Sequence, residues 1–298
     1  MPRSGFRFAR SGRAQFNFTL SSVPASPVKI EILDGANRAI RTFEGTGRAG
    51  LNRATWDLRY DQPHYVALRT TPPENPDIWN EPRFRGRDTR PVTHWGLAQA
   101  QVGPLAAPGK YSVRVTADGK SATQPFEIVK DPKIVSSEAD LAASTAMQIR
   151  IRDDINETSD SINGIEVMRK TLEDQQKANA GKPEVLKVLR EMDQKLGDVE
   201  YKFIERAAVL SDDKYFQQAY KVYSNLIWLN GAVGTGAGDE AGGADFRPTD
   251  TQVAVLAEIE KDLSAARNDY KKVMDTDVSA FNKLAPGRGL PTLAIEIK

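Results

Sequence analysis

The chain has 298 residues, 40% of them hydrophobic, with 41 Lys and Arg against 40 Asp and Glu and no cysteine. That length can bury one large core or two ordinary ones, and the missing cysteine excludes disulfides, thiolate nucleophiles and cysteine-ligated metals. No run of about 18 apolar residues occurs, so no helix is expected to span a membrane.

The small net charge hides an asymmetry. Met1 to Pro132 carries 19 Lys and Arg against 12 Asp and Glu, and the remainder 22 against 28, so a basic first part is followed by an acidic second part. Thirteen of the 17 prolines lie in that first part. A break of this size predicts two domains, 1–132 and 133–298. Arg3, Arg7, Arg10 and Arg13 resemble the basic start of an export signal. Gln15 to Leu20 alternates instead of supplying an apolar stretch, so no signal peptide is assigned.

In chain order, Phe16, Phe18 and Leu20 share one face of a first strand, and Val28, Ile30 and Ile32 one face of a second. Asp34-Gly35-Ala36-Asn37 supplies a turn and Ala39 to Phe43 the returning strand. Arg53 to Leu58 points Ala54, Trp56 and Leu58 inward. Lys110 to Thr116 and Thr123 to Val129, separated by the turn dipeptide Asp118-Gly119, complete about six strands at the spacing of an antiparallel β-sandwich. Trp56 and Tyr111 are large enough to anchor its core.

After Asp131-Pro132 the period becomes helical. Ser137 and Asp140 form a capping-box pattern, and Leu141, Ile151, Ile155, Ile162, Ile165 and Leu172 lie on one seam. Gly181 and Pro183 end that helix. Val185, Leu189, Met192, Leu196, Val199 and Phe203 define a second, expected to pack antiparallel on the first. Phe216 to Ile227 marks a third. Thr249 and Gln252 open a fourth that runs past Met274 toward Phe281. The expected architecture is therefore α+β in two domains, with the sandwich followed by an antiparallel helical bundle. The glycine-rich run Gly231 to Asp245 fits no phosphate-loop template and reads as a flexible interhelical connection.

Val28 to Asp34, Asn52 to Tyr60 and Gly103 to Arg114 together resemble the immunoglobulin-like module of the flagellar hook-capping protein. More broadly, the chain resembles the C-terminal part of bacterial sortilin-like β-propeller proteins with BNR (Asp-box) repeats, and Asp275 to Asn282 is similar to the end of that family. The resemblance implies a periplasmic or extracellular protein and a β-propeller domain or subunit as partner. The family's glycosyl hydrolase label rests on propeller repeats, and no Asp-box repeat occurs in this chain. The chain alone is therefore expected to be a non-catalytic interaction or stabilising module.

The segment from Asp61 to Gly109 is a long loop inserted between two strands, of the kind that carries function. It holds His64, His94, Trp79, Trp95 and the cluster Arg83, Arg85, Arg87 and Arg90. Trp79, Trp95 and these four arginines are the candidate docking or ligand residues, because Arg and Trp anchor interfaces and Arg forks onto carboxylates or phosphates. A glycan is the alternative ligand, with Glu81 and Asp88 the carboxylates a glycosidase would need. The two histidines lack ligand spacing, and no recognition motif accompanies the arginines, so neither a metal, a cofactor nor nucleic acid is expected.

Overall fold

The computed structural model describes residues 6–9, 12–73, 75–92, 100–205, 218–237 and 240–295. The chain is a mixed α+β protein of two compact units, each assembled from three separate stretches. One comprises residues 1–62, 101–152 and 232–249; the other comprises 63–100, 153–231 and 250–298. This differs from a single cut at Pro132, because residues 63–100 fold with the helical stretches and residues 138–152 with the strands.

In the first unit, β1 (Phe6–Ala9), β3 (Val28–Leu33), β4 (Ala39–Gly45), β8 (Gly109–Ala117) and β9 (Lys120–Val129) form a sheet ordered β1-β9-β8-β3-β4. A second pair joins β2 (Ala14–Leu20) to β5 (Gly50–Trp56). All these pairings are antiparallel except β1 with β9, which is parallel and was not anticipated from the sequence. The turns obey backbone chemistry: Asn37 and Asp118 take positive φ, with Gly119 after Asp118 closing the β8–β9 hairpin.

Alternation places Ala54, Trp56 and Leu58 in the core with Phe16, Ile30, Ile32, Tyr111, Val113, Phe126 and Ile128. Trp56 is 1% exposed, lies 6.1 Å from the Tyr111 ring and 6.0 Å from Phe126, and donates its indole N–H to the Arg59 carbonyl at 2.7 Å. It is a core residue, with its one polar atom satisfied.

Helix α1 (Glu138–Ala178) starts at the expected box, where the Asp140 amide donates to Ser137 Oγ at 3.1 Å and the Ser137 amide donates back to Asp140 Oδ2 at 3.1 Å. Its early residues Thr145 and Gln148 bond the Leu105 carbonyl and amide at 2.8 and 3.0 Å. The glycine-rich run is not a free connection. β10 (Gly236–Ala237) pairs with β11 (Glu240–Ala241), and a Cβ at Gly242 would lie 2.1 Å from the Gly234 carbonyl oxygen, so the backbones meet where only glycine fits.

In the second unit, α2 (Pro183–Phe203) and α4 (Asp250–Lys272) meet through Phe203 and Tyr270, whose rings lie 6.3 Å apart edge to face. The expected seam residues Leu189, Met192, Leu196, Val199 and Phe203 are buried. Helix α3 (Val222–Val233) carries Tyr223 and Ile227 inside; Phe216, assigned to this helix from the sequence, lies outside the described residues. Beyond α4 the chain passes through a π-helical segment, Val273–Val278, into α5 (Ser279–Leu284), which buries Phe281. Among the described residues no helix is long and apolar enough to cross a membrane.

Candidate functional site

The first part of the long loop is an extended segment laid along α1, held by side chains that bond its backbone. Asn156 Oδ1 accepts the His64 amide at 2.7 Å, and Ser159 donates to the His64 carbonyl at 2.9 Å. Asn163 accepts from the Ala67 amide at 2.7 Å and donates to the Tyr65 carbonyl at 2.9 Å. Glu166 accepts the amides of Arg69 and of Thr70, the latter at 2.8 Å, and the Thr70 hydroxyl at 2.7 Å. Glu173 takes the Thr71 amide at 2.8 Å and hydroxyl at 3.0 Å.

The two spacings match. Seven extended steps from His64 to Thr71 span about 23 Å at ~3.3 Å each, and the helix from Asn156 to Glu173 rises about 26 Å at ~1.5 Å per residue. A chain segment and a helical stretch of similar length thus run side by side, and the carboxylates and amides of α1 take the part a neighbouring strand would otherwise play.

Beneath this ladder lies a buried set of charges. Glu166 is 1% exposed and Glu200 of α2 fully buried. Arg169 bonds Glu200 and, at 2.9 Å, Asp193, and lies 4.0 Å from Glu166. Burial and the neighbouring Glu166 push the Glu200 carboxyl well above the usual carboxylate range, against the pull of Arg169. Burial would lower the Arg169 pKa, yet Glu200 and Asp193 raise it, so Arg169 stays charged. At Glu173, burial would raise the carboxyl, but the bonds from Lys177 and the Thr71 amide hold it below its ordinary value.

The candidate residues separate into two groups. Arg90 is not a surface anchor. It pairs with Leu68 in the short sheet of β6 (Ala67–Leu68) and β7 (Arg90–Pro91), is 2% exposed, and is buried near Glu166 and Glu200, whose charges oppose the lowering of its pKa by burial. Trp79 also turns inward, half-buried, its indole N–H donating to Thr71 Oγ1 at 3.1 Å. The exposed group is Arg83, Arg85 and Arg87. Arg83 bonds Glu81 at 2.9 Å and lies 4.7 Å over the buried Phe84 ring, and Arg85 bonds the Asn80 carbonyl at 2.9 Å. Trp95 and His94 lie outside the described residues. His64 has its Nδ1 2.9 Å from Asp160, an ion pair when the ring is protonated.

On one side of the extended segment opens a cavity of about 700 Å³, lined by Val66, Ala67, Arg69 and the turn from Gly86 to Pro91. Gly86 has φ +72° with open space where a Cβ would be, so its role is to turn the chain. Among the described residues Asp88 is the only acid in the lining; Glu81 is absent from it and is engaged by Arg83 and by Asn75 at 3.2 Å. Among the described residues the lining contains no aromatic ring. The proposed carboxylate pair of Glu81 and Asp88 therefore does not converge on this cavity. Arg69, Glu166, Glu173 and Glu200 escaped the sequence reading; the available signal was the shared helix face of Asn156, Asn163, Glu166 and Glu173.

No protein-family model, no curated protein and no solved structure matches the chain.

Proposed function

We propose that this chain is a non-catalytic interaction and stabilising module, the C-terminal part of an exported bacterial protein of the sortilin-like β-propeller type. Its strands are read as an immunoglobulin-like sandwich and its helices as an antiparallel bundle. The supporting observation is the disposition of the long loop: its first part is fixed to α1 through Asn163, Glu166 and Glu173, while Arg83, Arg85 and Arg87 remain exposed. An ordered loop presenting cations avoids much of the ordering cost of association and steers an acidic partner. The partner is the acidic surface of a β-propeller domain or subunit.

The test is association of the whole chain with a β-propeller encoded in or beside the same reading frame. Complex formation that weakens on Arg83→Glu plus Arg85→Glu, with the isolated variant still folded, is the expected result. Saturable binding of a neutral glycan by the isolated chain, abolished by Trp79→Ala without loss of fold, would overturn the proposal in favour of a glycan-binding unit.

A further inference from the structure

Resting on the docking reading above, we infer that the cavity between the extended segment and the Gly86 to Pro91 turn receives carboxylate side chains of an acidic peptide segment on the partner. Among the described residues, Arg69, Arg87 and Arg90 all contribute to its lining, against the single carboxylate of Asp88. Their availability differs in a useful way. Arg69 commits its Nη1 to the Ala67 carbonyl at 2.7 Å, which orients the guanidinium while leaving other N–H donors. Arg87 is exposed and makes no ion pair among the described residues. Arg90, 2% exposed and near Glu166 and Glu200, backs the wall from inside and offers no accessible donor.

A planar guanidinium with open donors matches a carboxylate edge on. Among the described residues the lining's apolar members, Val66, Ala67 and Pro91, are small and offer no aromatic face for a sugar ring to stack on. A volume of about 700 Å³ exceeds one carboxylate, and exposed Arg83 and Arg85 extend the positive surface beyond the mouth, which suits consecutive acids on one peptide.

The experiment titrates the whole chain with fluorescent hexaglutamate, with hexagalacturonate and inorganic phosphate as parallel probes, at low and at physiological ionic strength. Saturable hexaglutamate binding is expected, falling with salt and weakened about tenfold or more by Arg87→Glu, the equivalent of one charge-assisted hydrogen bond. Arg69→Gln gives a second variant, and an unchanged thermal midpoint shows that each variant is folded. No saturation at millimolar hexaglutamate, indifference to both substitutions, or tighter binding of hexagalacturonate or phosphate would each overturn the inference. If hexaglutamate fails while Arg83→Glu plus Arg85→Glu still weakens propeller association, the cavity assignment falls and the docking reading stands.

Discussion

Replacing Glu166 by alanine removes, at one position, the acceptor for the Arg69 and Thr70 amides and the Thr70 hydroxyl, and an anion beside Arg90 and Arg169. Each donor left unpaired in a buried site costs about 1 to 3 kcal/mol. Removing one partner of a buried charge network costs about 3 to 5 kcal/mol. These overlap, because the extended segment can lift from α1 and let water reach the orphaned groups. The expected loss is therefore about 3 to 5 kcal/mol, capped by the free energy of detaching the segment. Urea unfolding followed by circular dichroism gives the total, and native-state hydrogen exchange at Thr70 gives the local opening. Glu173→Ala, a more peripheral clamp, should speed exchange at Thr71 with a smaller loss of stability. A Glu166→Ala protein with an unchanged midpoint and a slow Thr70 amide would refute the ladder.

Three other outcomes follow from the same structure. Trp56→Ala should destabilise by about 3 to 5 kcal/mol, read as a shifted unfolding midpoint, because the ring fills the strand core beside Tyr111 and Phe126; an unmoved midpoint contradicts its core assignment. Glu200 has a folded pKa above its unfolded one, so the native state keeps the proton, and stability should fall as pH rises from the ordinary carboxylate value through the raised one. Glu200→Gln should flatten that decline, and an unchanged slope in the variant would show that another group is responsible. A fragment ending at Pro132 lacks Glu166 and Glu173, so its residues 63–92 should be cut by protease far faster than in the whole chain; equal protection would show that the loop is ordered without α1.

What the sequence revealed follows the range of the forces involved. Strands β2, β3, β5 and β8 were legible because one face of each is buried and alternation is a local signal. Trp56 and the α2 seam were legible for the same reason. The parallel pairing of β1 with β9 was not, since four residues joined to a strand more than 100 positions away carry no local mark. The polar ladder was hidden because Asn163, Glu166 and Glu173 look like the solvated side of a helix until the chain that covers them is known. Arg90 illustrates the same difficulty: four arginines at close spacing in a loop suggest a uniform surface, and only the carboxylates of Glu166 and Glu200, brought in by two helices, explain why this one is buried.

Association kinetics test most directly the proposal that exposed Arg83, Arg85 and Arg87 form a basic docking surface. The whole chain and its Arg83→Glu, Arg85→Glu, Arg87→Glu triple variant are compared for binding to the β-propeller proposed as partner, at low and physiological salt. The account predicts an on-rate that falls with salt for the native chain, is at least about tenfold slower for the triple variant at low salt, and loses most of that difference as ions screen the surface. Equal on-rates for the two proteins at both ionic strengths, with both folded, would contradict it.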